Sequence, residues 1–389
     1  MAKPKLALIP AAQGTKLYSV LPSDGTGDFT FTRGSVATRI NSQGLIENVA
    51  SGVSRLDYPM IDGVQKGCPH HILEPARTNL ILNSQKISLT PTKAGTFVDN
   101  FAISPDGTLN ATKLTATDVD PYFYQNISYS AVSYTASIYI KGIGNSVGKE
   151  FQIRLGTNIY TDVIPLEWTR FKYTVTMASG VTSAGLEIPN PAVVGDEVLV
   201  WGWQVEVGSY VTSYIPTNGE SGGVTRSAET ASGAGNSTTF NDSEGVLMAE
   251  ISALANDSTN RQMTLSDGTN DNRLVLKYDN QSNIIQSFNR ISGVESAFLS
   301  ASVTDITLFS KCLVKYKVND YQLWINGFKL DTDTSASVWP TSTLNDLRIN
   351  AGGGADFYGN VKQLQYFDSA IADTQLEQLT SWQSFRDMA

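Results

Sequence analysis

Along most of this chain apolar and polar residues alternate one by one, the period of a strand with one buried and one wet face. Within residues 134–141, Ala136, Ile138 and Ile140 share a face, and residues 151–155 and 171–177 repeat the pattern. The longest case is residues 198–207, where Leu199, Trp201, Trp203, Val205 and Val207 fall on one side and Val200, Gly202, Gln204 and Glu206 on the other. The side with both tryptophans reads as the core face, the other as an open polar face. Further on, residues 245–251 form a buried-strand run, and residues 320–330 read as strand, Asn326-Gly327 turn and returning strand, a strong hairpin signal. Before residue 84 the pattern breaks into short pieces around Phe29 and Phe31, residues 36–40 and residues 45–49. Pro4, Pro10, Pro22, Pro59, Pro69 and Pro75 exclude long helices there.

These patterns predict an all-β protein in which two antiparallel β-sandwiches follow an irregular, β-containing N-terminal segment. The division is residues 1–84 for that segment, 85–220 for the first sandwich, 221–237 for a linker and 238–389 for the second sandwich. The linker is read from residues 218–237, rich in Gly, Ser, Thr and Asn and nearly free of large apolar side chains. Residues 1–84 have too little continuous apolar periodicity for a core of their own, which predicts packing against a neighbouring domain, a second copy or a docking surface.

Composition narrows the function classes. An apolar content of 41% suits folded cores, and 17% charged residues with abundant Gly, Ser, Thr and Asn suits turn-rich β structure. A net charge of −9 disfavours binding to a nucleic-acid backbone. There is no apolar run long enough for membrane insertion by a helix, and the proline-broken start does not read as a signal peptide. Cys68 and Cys312 fall in different predicted domains, so no disulfide framework is expected.

Three stretches resemble known families. The run from Asp28 to Glu47, with residues 55–59 and 68–80, resembles the leader shared by many bacteriophage virion proteins of tail-fibre, head-fibre and surface-appendage type. Residues 135–140, 167–171 and 201–208 resemble carbohydrate-binding-module jelly rolls, and residues 212–217 and 225–230 resemble the exit of that module in phage appendage proteins. Residues 323–330 and 359–367, with the helical tail 373–380 whose Leu376 and Leu379 would cap the core, resemble the laminin-G/concanavalin-A-like lectin sandwich. The resemblance implies a jelly roll followed by a concanavalin-A-like domain in a virion protein made in the host bacterial cytoplasm. It also implies a homotrimer, docked to other virion proteins through residues 1–84 and displaying lectin-like domains toward host surface glycans.

Candidate chemistry is sparse. Histidine occurs only at His70 and His71, with Cys68 nearby but across Pro69, which reads as a loop and not a catalytic dyad. No nucleotide-binding, metalloprotease or zinc motif is present, and no cofactor is implied. Residues 267–272 and 331–335 offer oxygen ligands of the kind calcium takes, but read as Asx-rich turns, so no metal site is assigned. The candidate glycan contacts are Tyr122 and Tyr124 in an expected loop after residues 118–121, Gln204 and Glu206 on the polar side of the last strand, and two further loop residues, Trp339 beside Pro340 and Tyr358 after the glycines at 352–354. A virion structural protein that attaches to glycans is the leading reading. A free carbohydrate-binding adhesin and a polysaccharide-degrading enzyme with two carboxylates are the alternatives.

Overall fold

The strand Gly359–Phe367 is the hub of the C-terminal sandwich in the computed structural model, which describes residues 2–13, 16–61, 64–65, 67–117, 121–349 and 355–382. One edge of the hub pairs with Glu244–Ala253, which leads on to Ser310–Lys317, Tyr321–Ile325 and Phe328–Asp333. Its other edge is shared by two pieces of the N-terminal segment: Leu6–Gln13, from Leu6↔Tyr366 to Leu8↔Leu364, and His70–Leu73, from His71↔Val361 to Leu73↔Gly359. Lys16–Leu21, Phe29–Thr32 and Thr230–Ser232 continue the sheet beyond Leu6–Gln13. A second sheet, in the order Val294–Ser302, Ile284–Ile291, Arg273–Tyr278, Arg261–Ser266, Asp346–Arg348, closes the sandwich.

The N-terminal segment therefore finds its core in the same chain. Phe29 and Phe31 alternate with Thr30 and Thr32, so both rings point inward and are 1% and 3% exposed. With Leu6, Leu8 and Leu17 they join Leu247, Leu276, Tyr316 and Leu364 in one buried cluster. Each such side chain contributes about 1.5–3 kcal/mol of burial, enough to hold the segment in place. Of the three settings expected for residues 1–84, the neighbouring domain is the one these contacts provide. Asn326 and Gly327 both take positive φ (51° and 91°), the turn expected of the hairpin. The helix Asp373–Thr380 sets buried Leu376, with Leu379 against it, over Trp324 and Phe367.

The jelly roll consists of two five-stranded sheets. One runs Thr92–Ala94, Tyr122–Tyr129, Gly180–Glu187, Glu150–Leu155, Asn158–Val163; the other Thr96–Ile103, Leu109–Thr115, Glu197–Val207, Ser133–Ile143, Thr169–Thr176. The uninterrupted alternation expected over 198–207 does not hold. Opposite Ser133–Ile143 the register slips between Ser137↔Gln204 and Tyr139↔Trp201, and Gly202 sits there at φ 69°. That bulge puts Val198, Val200, Trp203 and Val205 in the inter-sheet core, while Trp201 turns to the other side against Ile46 and Tyr214. The two tryptophans thus serve opposite faces of one strand.

The chain enters and leaves this jelly roll side by side. Arg77–Asn79 pairs with Val224–Arg226, and Asn83 bridges to Asn218. The jelly roll is an insertion between two parts of the C-terminal sandwich. The stretch expected as a linker, 221–237, instead carries the strands Val224–Arg226 and Thr230–Ser232, and Ala234 bridges to Leu347. Its two charged residues, Arg226 and Glu229, are held by ion pairing.

That pairing is a buried charge cluster. Glu229 accepts hydrogen bonds from Arg33 Nη1 at 2.7 Å, Arg55 Nε at 2.8 Å, Arg55 Nη2 at 2.5 Å and the Glu74 amide at 2.9 Å. Glu74 in turn receives Arg55 at 2.8 Å, Arg226 at 2.8 Å, and the Ser213 amide and hydroxyl at 2.7 and 2.6 Å. Burial alone would push the Glu74 carboxyl up, but Arg226, Arg55 and Ser213 bring it down to about 2. The same neighbours, Glu229 and Glu74, raise Arg55 above its ordinary value against the opposing effect of burial.

Candidate functional site

On the outward face of the first jelly-roll sheet, alternation along Tyr122–Tyr129 points Phe123, Gln125 and Ile127 inward and leaves Tyr122 and Tyr124 half-buried on the outside. Their rings stack with centroids 4.9 Å apart and planes 26° from parallel. Cross-strand register brings Glu187 beside Tyr122 and Gly185 beside Tyr124, and on the next strand Gln152 and Arg154 fall in the same two rows. Gly185 is required here: a Cβ would lie 1.9 Å from Tyr124 Cδ1 and 2.4 Å from the Phe123 carbonyl oxygen. The missing side chain lets the Tyr124 ring lie across the neighbouring strand. Its hydroxyl donates to Glu187. Arg154 donates to Glu187 Oε2 and to Gln152 Oε1, both at 2.8 Å, and Asn190 Nδ2 donates to Glu187 at 2.9 Å. Burial and the Glu187 carboxylate both raise the Tyr124 phenol above its ordinary value, so it stays protonated as a donor. The result is an aromatic platform bordered by a fixed fan of donors and acceptors.

Of the six residues expected to contact a ligand, the structure brings together Tyr122 with Tyr124 on an outer face, and Gln204 with Glu206 in the interior, where Gln204 Nε2 donates to Glu206 Oε1 at 2.8 Å. Gln204 and Glu206 are fully buried, because the outer face of their sheet is covered by the N-terminal segment and the chain leaving the jelly roll. Gln204 Oε1 accepts the Ile215 amide at 2.7 Å, and Glu206 accepts the Thr212 amide at 2.8 Å and hydroxyl at 2.6 Å. They latch residues 212–215 and cannot reach solvent. Trp339 is 3% exposed; it packs edge-on against Tyr316 and donates Nε1–H to the Arg290 carbonyl at 2.6 Å, a core role and not a loop contact. Tyr358 is half-buried just before the hub strand, with its hydroxyl 3.1 Å from Asp356, and its electrostatic neighbours are Tyr210 and Arg77. Residues 118–120 and 352–354, expected as loops beside Tyr122 and Tyr358, lie outside the described residues.

Gly185, Glu187, Arg154 and Gln152 escaped sequence reasoning. Nothing local marks them; only the register of three strands from distant parts of the chain gathers them beside the tyrosines. The turns considered for calcium spend their oxygens on hydrogen bonds: Asp267 accepts the Thr269 amide and hydroxyl at 2.8 and 2.6 Å, Asp333 does the same for Ser335, both at 2.8 Å, and Asp331 Oδ2 accepts the Ser300 amide at 2.8 Å. Among the described residues no group of three or more His, Cys, Asp or Glu is arranged to hold a metal ion, and no helix is long and apolar enough to cross a membrane.

No family model matches this chain, and no curated protein matches it. Among solved structures, it is similar to the carbohydrate-binding module CBM40 of a Ruminococcus gnavus IT-sialidase bound to α2,3-sialyllactose, at 18% identity over 39% of this chain and 88% of that one, with a TM-score of 0.33. It is similar to domain 4 of AbnA, an extracellular arabinanase of Geobacillus stearothermophilus in complex with arabinotriose, at 9% identity over 40% of this chain and 73% of that one, TM-score 0.33. It is also similar to domains LG4–5 of the mouse laminin α1 chain, at 9% identity over 73% of this chain and 96% of that one, TM-score 0.26. The β-sandwich architecture stands on the strand pairing itself.

Proposed function

We propose that this protein is a non-catalytic, glycan-binding attachment protein, and that its ligand face is the sheet surface carrying Tyr122 and Tyr124. The stacked tyrosine pair, laid over the gap at Gly185, carries this reading. A pyranose presents a C–H face that an aromatic ring covers and an edge of hydroxyls that need directional partners. The tyrosine rings supply the first, and Glu187, Arg154 and Gln152 supply the second. Binding is favoured over hydrolysis because both Glu187 oxygens are already engaged, by Tyr124 on one side and by Arg154 and Asn190 on the other. A glycosidase needs a carboxylate pair poised across a scissile bond.

The setting in a bacteriophage virion rests on the resemblance of residues 28–47, 55–59 and 68–80 to the appendage leader. A shallow face of this kind binds weakly, and display in several copies on a particle would multiply that affinity. A homotrimer is part of this proposal, but the leader no longer demands one, since its apolar side chains are covered within the chain. Glycan-array binding of the intact protein tests the ligand face. Alanine at Tyr122 and Tyr124 should each cost on the order of 1 kcal/mol, about a fivefold loss. Gly185→Val, which displaces the Tyr124 ring, should abolish binding. An array signal unchanged in all three variants overturns the assignment.

A further inference from the structure

A second site lies where the N-terminal segment, the jelly roll and the C-terminal sandwich meet. A cleft of about 280 Å³ opens there between Ile40, Asp57 and His70 of the N-terminal segment, Tyr139 and Arg170 of the jelly roll, and Asn360 of the hub strand. We propose that this cleft binds a single neutral sugar ring, independently of the tyrosine platform.

The unsatisfied chemistry of its walls points to a ligand. In the adjoining ionic cluster the carboxylates of Glu74 and Glu229 are saturated. The cleft is different. Asp57 Oδ1 accepts the Ile40 amide at 2.7 Å, but its Oδ2 lies 4.0 Å from His70 Nε2, beyond hydrogen-bond reach. His70 is 8% exposed, and its Nδ1 has no hydrogen-bond partner among the described residues. Arg170 donates to the Thr212 carbonyl at 2.9 Å and to Ser137 at 3.0 Å, forms no ion pair among the described residues, and leaves its buried Nε unpartnered. His70 Nδ1 and Arg170 Nε are closed off from the cleft, so the group left for a ligand is Asp57 Oδ2, an acceptor without a hydrogen-bond partner among the described residues that a ligand hydroxyl would complete.

Shape and charge narrow the class. The volume falls just below the usual range of small-molecule sites, room for one ring and not for a chain. Tyr139, with the Arg170 guanidinium 5.5 Å over its ring, and Ile40 give apolar walls for C–H faces. Among the described residues the charged groups lining the cleft are two of each sign, Arg39 and Arg170 with Asp57 and Glu74, so a neutral ligand meets no net charge, whereas an anion drawn to an arginine would meet the two carboxylates.

The protein reports on this site directly, because His70 and His71 are its only histidines. The experiment records imidazole Cε1–H signals of the full chain, assigned with His70→Gln, during titration with D-glucose, D-galactose, D-mannose and, as the anionic probe, N-acetylneuraminic acid. Titration runs to ~10 mM, tenfold above a dissociation constant of ~1 mM. A saturable shift of the His70 signal with a neutral hexose is expected. It should persist in the Tyr122→Ala/Tyr124→Ala double variant, weaken at least tenfold in Asp57→Asn and Arg170→Gln, and vanish in Val211→Trp, which fills the cleft. Leu254→Phe is a second filling variant should Val211→Trp fail to fold. The inference is overturned if no hexose moves the signal, if only the anionic probe does, or if a folded filling variant still responds. Loss of the response in the tyrosine double variant would also overturn it, placing the only sugar site on the platform.

Discussion

Glu229→Gln should be among the most damaging single substitutions in this chain, although it changes one oxygen to an amide. The native carboxylate is completely buried and takes hydrogen bonds from Arg33, Arg55 and the Glu74 amide between 2.5 and 2.9 Å. Without its charge, Arg33, Arg55 and Arg226 remain in the cluster with Glu74 as their nearest counter-ion, and the new amide turns an N–H₂ toward guanidinium donors. Breaking a buried pair from one side costs about 3–5 kcal/mol, against a total stability of about 5–15 kcal/mol for a domain. Urea unfolding followed by tryptophan fluorescence and by far-UV circular dichroism measures the loss. Two probes are needed because two sandwiches need not melt together. The variant midpoint should fall in both, since the cluster ties the N-terminal segment to the chain leaving the jelly roll. Arg55→Met combined with Glu229→Met should recover part of the loss by removing the stranded charge along with its partner. A cost for Glu229→Gln below about 1 kcal/mol, the scale of an exposed ion pair, would refute the account of the cluster.

Limited proteolysis with trypsin should leave residues 221–237 uncut, with Arg226 buried and paired, and residues 238–389 expressed alone should fail to fold because the hub strand loses both partners on one edge; a soluble, native-like 238–389 fragment would contradict this. Acidification should show two opposed effects. Burial pushes the Asp57 carboxyl from 3.8 up to about 6, so its contribution is fully present below pH 3.8 and is lost as pH rises through 6. Burial, aided by Lys362, pushes the His70 imidazole from 6.5 down to about 4, so its contribution is present above pH 6.5 and is lost as pH falls through 4. The two slopes nearly cancel between pH 4 and 6, and His70→Gln should uncover a gain of up to about 3 kcal/mol on acidification across that window. Identical pH profiles of chemical unfolding for variant and native protein would count against it.

The elements that were legible in the sequence are those decided locally. The Asn326-Gly327 hairpin needs two positive-φ residues in a row and advertises them. The rings of Phe29 and Phe31 alternate visibly with threonines, whereas Tyr122 and Tyr124, expected in a loop, lie on a strand and share its outer face. What escaped was decided across distance. One inserted residue at the Gly202 bulge reverses every inside–outside assignment on one side of it, which is why Trp201 and Trp203 part company. Arg226 and Glu229 look like solvated residues in a glycine-rich stretch, because the partners that bury them lie on the far side of the jelly roll in sequence. Gln204 and Glu206 alternate as an exposed face would, yet the neighbouring backbone covers them. Half of the tyrosine platform was readable, and its polar half was not.

The pairing of Leu6 with Tyr366 has a consequence for how the chain is made. A ribosome releases Leu6–Gln13 long before its partner, the hub strand Gly359–Phe367. Until then Leu6, Leu17, Phe29 and Phe31 have no completed core to enter. The jelly roll, whose strands all lie between Thr92 and Val207, can close in the meantime. Its closure draws Arg77–Asn79 toward the chain that will become Val224–Arg226, holding the N-terminal segment near the place where the second sandwich will form. The insertion thus acts as an internal clamp during synthesis, shortening the loop the last strand must close by as much as the jelly roll's own length.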